Sequence, residues 1–203
     1  MRIAVSGTHC SGKTTLIDEF LTAHPEFVHE PEPYTVLVED YGEEFSDIPG
    51  LDDFYRQLEF NVERLNLHSQ AEQVIYERCP IDFLAYILAL RDLRRDWVSD
   101  EVFNAARGLA SDGIKMLDLI VFLPLNEADG IEASDEDDLK LRSVVDSRLV
   151  DIFSDDHLGI FTSGDTAVVE AMGSTRKRLQ TVEDAMGQAS QRARSLRTTT
   201  IIA

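Results

Sequence analysis

Residues 6–15 read "SGTHCSGKTT" and follow directly on the apolar run Ile3-Ala4-Val5. From Gly7 to Thr14 the chain fits the pattern G-x-x-x-x-G-K-[ST]. A glycine-rich turn after a strand exposes successive backbone N–H groups, and the helix behind it adds its positive N-terminal end, so together they wrap phosphate oxygens. Gly7, Thr8, His9, Cys10, Ser11, Gly12, Lys13, Thr14 and Thr15 would form that cradle. Lys13 would reach the β- and γ-phosphates as a point charge, and the Thr14 hydroxyl would meet a Mg2+ that bridges the same oxygens. The stretch therefore predicts a strand, loop and helix that bind a nucleoside triphosphate with Mg2+. No N-K-x-D, the usual guanine reader, occurs in the sequence, which favours ATP over GTP.

Outward from this loop, short β-like runs alternate with longer helical patterns, the signature of βαβ units around a parallel sheet. Strands are expected at 3–6, 27–29, 74–77, 119–123 and 167–171. The first helix should start at Gly12-Lys13, run through Phe20 and end before Pro25. Leu51, Tyr55, Leu58, Val62 and Leu65 recur at steps of four and three, one face of a long helix ending near Gln70. Pro80 suits the first turn of another helix, whose Ile81, Leu84, Ala85 and Leu88 form a stripe. Further helices are expected over 100–110, 139–153 and 175–187. No internal repeat appears. The acidic stretch "EADGIEASDEDD" at 127–138 reads as a solvated loop, because like charges this dense repel.

With 203 residues the chain suits one domain. Residues 1–187 are expected to form it, with 188–203 a tail of little periodicity and disorder at its end. Thirty-eight acidic residues against 19 basic ones give a formal charge of -19, which repels nucleic-acid backbones and anionic membranes. Neither is expected as a partner. Two cysteines make no disulfide framework, and five scattered histidines show no zinc spacing. The N-terminus lacks a signal-peptide core and no apolar run approaches about 18 residues. A reducing, cytoplasmic location is expected. The sequence leaves the oligomeric state open, a homodimer among the alternatives.

Open α/β sheets gather their sites at the carboxyl ends of the strands. Two stretches stand there: "FVHEPEPY" at 27–34 and "VIYERCPIDFLAY" at 74–86. They resemble the P-loop nucleoside and nucleotide kinases, above all the deoxynucleoside kinases, in which Glu-Pro follows the second strand and Glu-Arg-Ser the third. "ERCPIDFLAY" is also similar to the AAA/ATPase domains of the ribosylnicotinamide-kinase type, with their Asp-Arg and a downstream Asp and Tyr. The resemblance covers residues 1–90 by motif and the remainder by element order. Cys79 stands where the deoxynucleoside kinases carry Ser.

The resemblance implies a three-layer α/β P-loop NTPase fold, with a five-stranded parallel sheet in the order 2-3-1-4-5 and helices on both faces. It implies Glu30 as the base that takes the proton of the attacking hydroxyl, Glu77 as a water-mediated Mg2+ contact and Arg78 on the phosphates. Glu32 competes with Glu30 for the same role. Gln57 would bond a base edge, with Tyr55 beside it; Tyr55 also fits plain core packing. Asp82 and Tyr86, one helical turn apart, would line the same pocket. Arg142 and Arg148 would bring positive charge to a lid at about 124–150, where acidity is an odd companion for a triphosphate. Gly173 and Ser174 would flank the adenine.

The same sheet order brings Cys10 and Cys79 to neighbouring strand ends, where oxidation would lock the loop; two unconnected thiols are the alternative. The implied activity is transfer of the ATP γ-phosphoryl to a small-molecule acceptor, a nucleoside, nucleotide or related compound. Two alternatives stay open. One is a regulatory protein that hydrolyses ATP, the other a kinase of a non-nucleoside alcohol.

Overall fold

The computed structural model describes residues 1–68, 72–126, 138–161 and 166–200. Five strands, β1 (Arg2–Ser6), β2 (Val28–Glu30), β3 (Val74–Glu77), β4 (Leu119–Phe122) and β5 (Ala167–Glu170), form one parallel sheet. Its order is β2-β3-β1-β4-β5, as the sequence led us to expect. Among the described residues seven helices pack around it: α1 (Lys13–Ala23), α2 (Pro33–Glu39), α3 (Leu51–Leu67), α4 (Pro80–Asp92), α5 (Asp100–Ile114), α6 (Leu139–Ser154) and α7 (Thr175–Thr200).

β1 is central and buried at every position, because both faces of a parallel sheet are covered. Its alternate residues feed two cores. Ile3 and Val5 join Leu16, Phe20 and Val182 under α1 and α7. Ala4 joins Tyr76, Leu58, Leu84 and Val145 on the face of α3, α4 and α6. Each such side chain gains roughly 1.5–3 kcal/mol from burial, enough that the strand ends, and the loops leaving them, stand on a rigid platform.

Three elements differ from the sequence reading. α4 was expected to bury a stripe, yet Phe83, Ile87, Ala89 and Leu90 are buried along with Ile81, Leu84 and Ala85. It is clamped between α3, α5 and α6, so the amphipathic pattern is lost on a helix covered all round. α2 begins at Pro33 itself, and its seven residues are too few to print a period. α7 continues to Thr200 instead of ending at Gly187, a glycine with open space around it. No helix among the described residues is long and apolar enough to cross a membrane.

Candidate active site

The phosphate loop leaves β1 at Ser6 and enters α1 at Lys13. Its turns need backbone that other residues rarely supply. Gly12 caps α1 at φ 88°, and a Cβ on Gly7 would stand 2.5 Å from Ser11 Oγ and 2.8 Å from the Leu123 carbonyl oxygen. Cys10 adopts φ 51° without being glycine.

Three arginines hold this loop by its carbonyls. Arg78 Nη1 donates to Gly7 O at 3.1 Å. Arg142 donates to His9 O at 2.8 Å and to Cys10 O at 2.9 Å. Arg178 Nη1 donates to Ser11 O at 2.8 Å. With carbonyls bound outward, the loop can offer its amides to an anion. The hold of Arg178 on the loop, 167 residues away, has no sequence signature.

Lys13 is buried and bends back to donate to Thr8 O at 3.0 Å. Burial first, and then the neighbouring Arg78 charge, bring its pKa down to about 8. Thr14 Oγ1 donates to Glu77 Oε1 at 2.7 Å. A hydroxyl and a carboxylate side by side are the hard oxygen donors that suit Mg2+. Among the described residues there is no group of three His, Cys, Asp or Glu that could hold a metal alone. Phosphate oxygens would have to complete the shell, as is usual for this ion. Thr15 is exposed on α1 beside Thr14.

Beyond the loop lies a cavity of about 800 Å3, within the range of small-molecule sites. Its lining includes Glu32, Phe54, Gln57, Arg78, Tyr86 and Arg142. Glu32 and Arg78 form an ion pair through Arg78 Nε. Burial works to raise the Glu32 pKa, but the charges of Arg78 and Lys13 outweigh it and hold the carboxyl below its ordinary value. Arg78 itself sits at φ 79°, a left-handed bend that turns its guanidinium over the Tyr86 ring at 5.4 Å. Tyr86 in turn stacks on Phe54, with ring centroids 4.4 Å apart. Gln57 Nε2 donates to Asp53 O at 3.2 Å, leaving its other polar positions to the cavity.

Several expected site residues lie elsewhere. Glu30 ends β2 with both oxygens engaged, by Arg64 at 2.6 and 2.8 Å and by His68 at 2.8 Å, and it does not line the cavity. Despite burial, those partners lower its pKa. Two residues onward the chain delivers Glu32 instead, because Pro33 starts α2 and ends the extended segment there. Tyr55 packs on the large core, the alternative already open for it. Asp82 is fully buried beneath the loop and outside the lining. Arg148 pairs with Asp92 at 2.6 Å and Asp151 at 3.4 Å on the surface of α6. Gly173 takes φ 95° just before α7, and Ser174 O accepts from Arg178 N at 2.9 Å.

Of the acidic stretch, residues 127–137 lie outside the described residues. Asp138 caps α6 by accepting from Leu141 N at 2.9 Å and pairs with Arg95 at the cavity wall. Cys10 and Cys79 are not joined in a disulfide; Cys79 is fully buried, and burial together with Asp82 pushes its pKa well up.

A family model described as an AAA domain matches residues 2–151. No curated protein matches the sequence. Among solved structures, deoxyadenosine kinase from M. mycoides with bound dATP is similar, at 14% identity and a TM-score of 0.60, over 92% of this chain and 99% of that one. Thymidylate kinase from Candida albicans is similar at 17% identity and a TM-score of 0.56, over 98% and 92%. The NadR protein in complex with NAD and AMP-PNP is similar at 16% identity and a TM-score of 0.57, over 92% of this chain and 49% of that one. This chain thus spans about half of NadR, and at these identities the likeness is one of fold.

Proposed function

The chain belongs to the AAA domain family, and on that footing we propose that it is a phosphotransferase that moves the γ-phosphoryl of Mg2+-ATP to a nucleoside, nucleotide or related small acceptor. The observation that carries this reading is the Glu32–Arg78 pair at the wall of an acceptor-sized cavity, with Arg78 buried, Glu32 half-buried and both electrostatically coupled to Lys13. A carboxylate kept ionised beside the phosphate loop is what a hydroxyl nucleophile requires. The likeness in fold to deoxyadenosine kinase and thymidylate kinase, and to a protein that holds AMP-PNP, supports both the reaction type and the donor.

In this mechanism the loop amides and Lys13 bind the β- and γ-phosphates, while Gly173 and Ser174 flank the adenine. Thr14 and Glu77 would hold a Mg2+, which would neutralise charge on the phosphate oxygens. Phe54, Gln57 and Tyr86 orient the acceptor. Glu32 accepts the proton of the acceptor hydroxyl as its oxygen attacks the γ-phosphorus, and the bond to the bridging oxygen breaks with departure of ADP. Arg78 and Arg142 place positive charge around the moving group, where a guanidinium fork serves several oxygens at once. The base is thus assigned to Glu32 instead of Glu30, whose oxygens are committed to Arg64 and His68.

A regulatory protein that only hydrolyses ATP would present a surface to a partner, whereas here aromatic rings and an amide line a hollow of about 800 Å3. A kinase of a non-nucleoside alcohol would share every step above. Incubation with γ-labelled ATP and a panel of nucleosides, nucleotides, ribosylpyridines and simple alcohols tests the reading. Label is expected in an organic phosphate; label found solely in inorganic phosphate would reject it.

A further inference from the structure

We infer that Asp82 is a positioning residue for phosphoryl transfer: it ties the first residue of the phosphate loop to the bend that carries Arg78, so that both present themselves to the same phosphate. This rests on the phosphotransferase reading above. Asp82 has no exposed surface. Its Oδ1 accepts from Gly7 N at 2.8 Å and from Ser6 Oγ at 3.0 Å, and its Oδ2 accepts from Cys79 N at 2.6 Å. One carboxylate therefore joins the end of β1 to the start of α4.

The other side of the same link is Arg78. Its backbone N donates to Val5 O at 3.0 Å and its Nη1 to Gly7 O at 3.1 Å. Gly7 is thus held through its N–H by Asp82 and through its carbonyl by Arg78. A left-handed arginine is strained and persists only where its surroundings hold it. The Asp82 bond to Cys79 N, one residue on, is such a hold. The Asn61 amide, donating to Arg78 O at 3.5 Å, adds little at that length.

A plain helix cap would not need this residue type at this depth. Burial raises the Asp82 pKa even though Arg78, Lys13 and two backbone amides favour the charged form. Ordinary caps in this chain, Ser99 on α5 and Asp138 on α6, sit near the surface and bond only to their own helix's amides or to an exposed arginine. Asp82 instead spans 75 residues to reach Gly7.

The test is Asp82→Asn in the full chain, assayed with Mg2+-ATP and whichever acceptor of the panel above, nucleosides, nucleotides, ribosylpyridines and simple alcohols, wild type phosphorylates fastest. An amide can still accept from Gly7 and Ser6, but its nitrogen meets the Cys79 N–H donor to donor. Displacement on the scale of an ångström lowers kcat, here by about 10- to 100-fold, with the acceptor KM within about twofold of wild type. Ser99→Ala is the control: it removes the cap of α5, lowers the melting temperature and leaves kcat intact. If Asp82→Asn lowers the melting temperature as Ser99→Ala does yet keeps wild-type kcat, Asp82 is a cap and the inference is overturned. Should Asp82→Asn not fold, Ser6→Ala removes one donor and is expected to lower kcat by about threefold; unchanged kcat there also overturns it. An inactive wild type brings down the phosphotransferase reading, and this inference with it. An active wild type with an unimpaired Asp82→Asn sinks the Asp82 assignment alone.

Discussion

At the phosphate end of the cavity, Gly7, His9, Cys10 and Ser11 each give a carbonyl oxygen to a guanidinium drawn from α6, α7 or the bend after β3. At the other end Phe54, Gln57 and Tyr86 stand on α3 and α4, and the wall continues through Ser46 to Pro49, the turn at Arg95 and the cap at Asp138 on loops, with Ile48 78% exposed. The first end is over-determined by bonds from several distant elements; the loop part of the second is held at few points, among them the exposed Arg95–Asp138 pair. A triphosphate is the same for every reaction of this kind, so its amide cradle gains from being formed in advance. Acceptors vary, and variable walls belong on loops carried by a rigid scaffold.

The contrast is broken most severely at its rigid end. Lys13→Ala is expected to lower phosphoryl transfer by about 1,000-fold or more, with a melting temperature within a few degrees of wild type, as read by rate assay and thermal unfolding. Full retained activity would mean that the loop does not hold the triphosphate.

Next in size is a pair of variants two residues apart. Glu32→Gln should lower kcat by about 100-fold or more, since the amide cannot take a proton. Glu30→Gln should leave kcat near wild type while costing about 1–3 kcal/mol in denaturant unfolding, because Arg64 and His68 lose a charged partner. The reverse outcome would return the base to Glu30.

Alkaline pH probes the buried lysine. A Lys13 pKa near 8 means that ATP meets a neutral amine above that value, and bound phosphate favours the charged form. ATP affinity should be flat below pH 8 and fall by up to about tenfold per unit above it, with proton uptake seen by calorimetry in buffers of different ionisation heat. The sign for stability is opposite. With the folded pKa below the unfolded 10.5, the unfolded chain holds more protons between those values, so the penalty of burying Lys13 is full below pH 8 and relieved as pH rises toward 10.5.

The smallest effects divide α6. Arg142→Ala, which frees the His9 and Cys10 carbonyls, should lower kcat by roughly tenfold. Arg148→Ala removes only partly exposed pairs with Asp92 and Asp151 and should change stability by no more than about 1 kcal/mol, with kcat unchanged. A loss of kcat in Arg148→Ala equal to that of Arg142→Ala would extend the rigid end along α6.

Much of the fold was legible because it rests on local signals: apolar runs for strands, a period of three and four residues for α3, and glycines with a lysine where the chain must turn around phosphate. The five strands and six of the seven helices can be read this way. α2 was missed because seven residues give no period, and the shape of burial on α4 because a helix covered on all sides carries no polar face. The site was legible in part. Thr14 and Glu77 come into hydrogen-bond contact, 63 residues apart, and Gln57 and Tyr86 reach the cavity. Glu30 and Glu32 could not be separated, since which of two nearby carboxylates enters a hollow depends on where the strand ends and what waits behind it. Arg178, Arg64 and the burial of Asp82 leave no local trace.

The sequence by itself determined that a phosphate loop follows the first strand of a parallel sheet, because backbone turns and hydrophobic period act over a few neighbouring residues. The tertiary structure alone decided that Glu32 lines the cavity while Glu30 pairs away from it, and that Asp82 bonds the loop from beneath. Those outcomes depend on charges and hydrogen bonds between residues far apart in the chain, whose distances exist only once the sheet has brought them together.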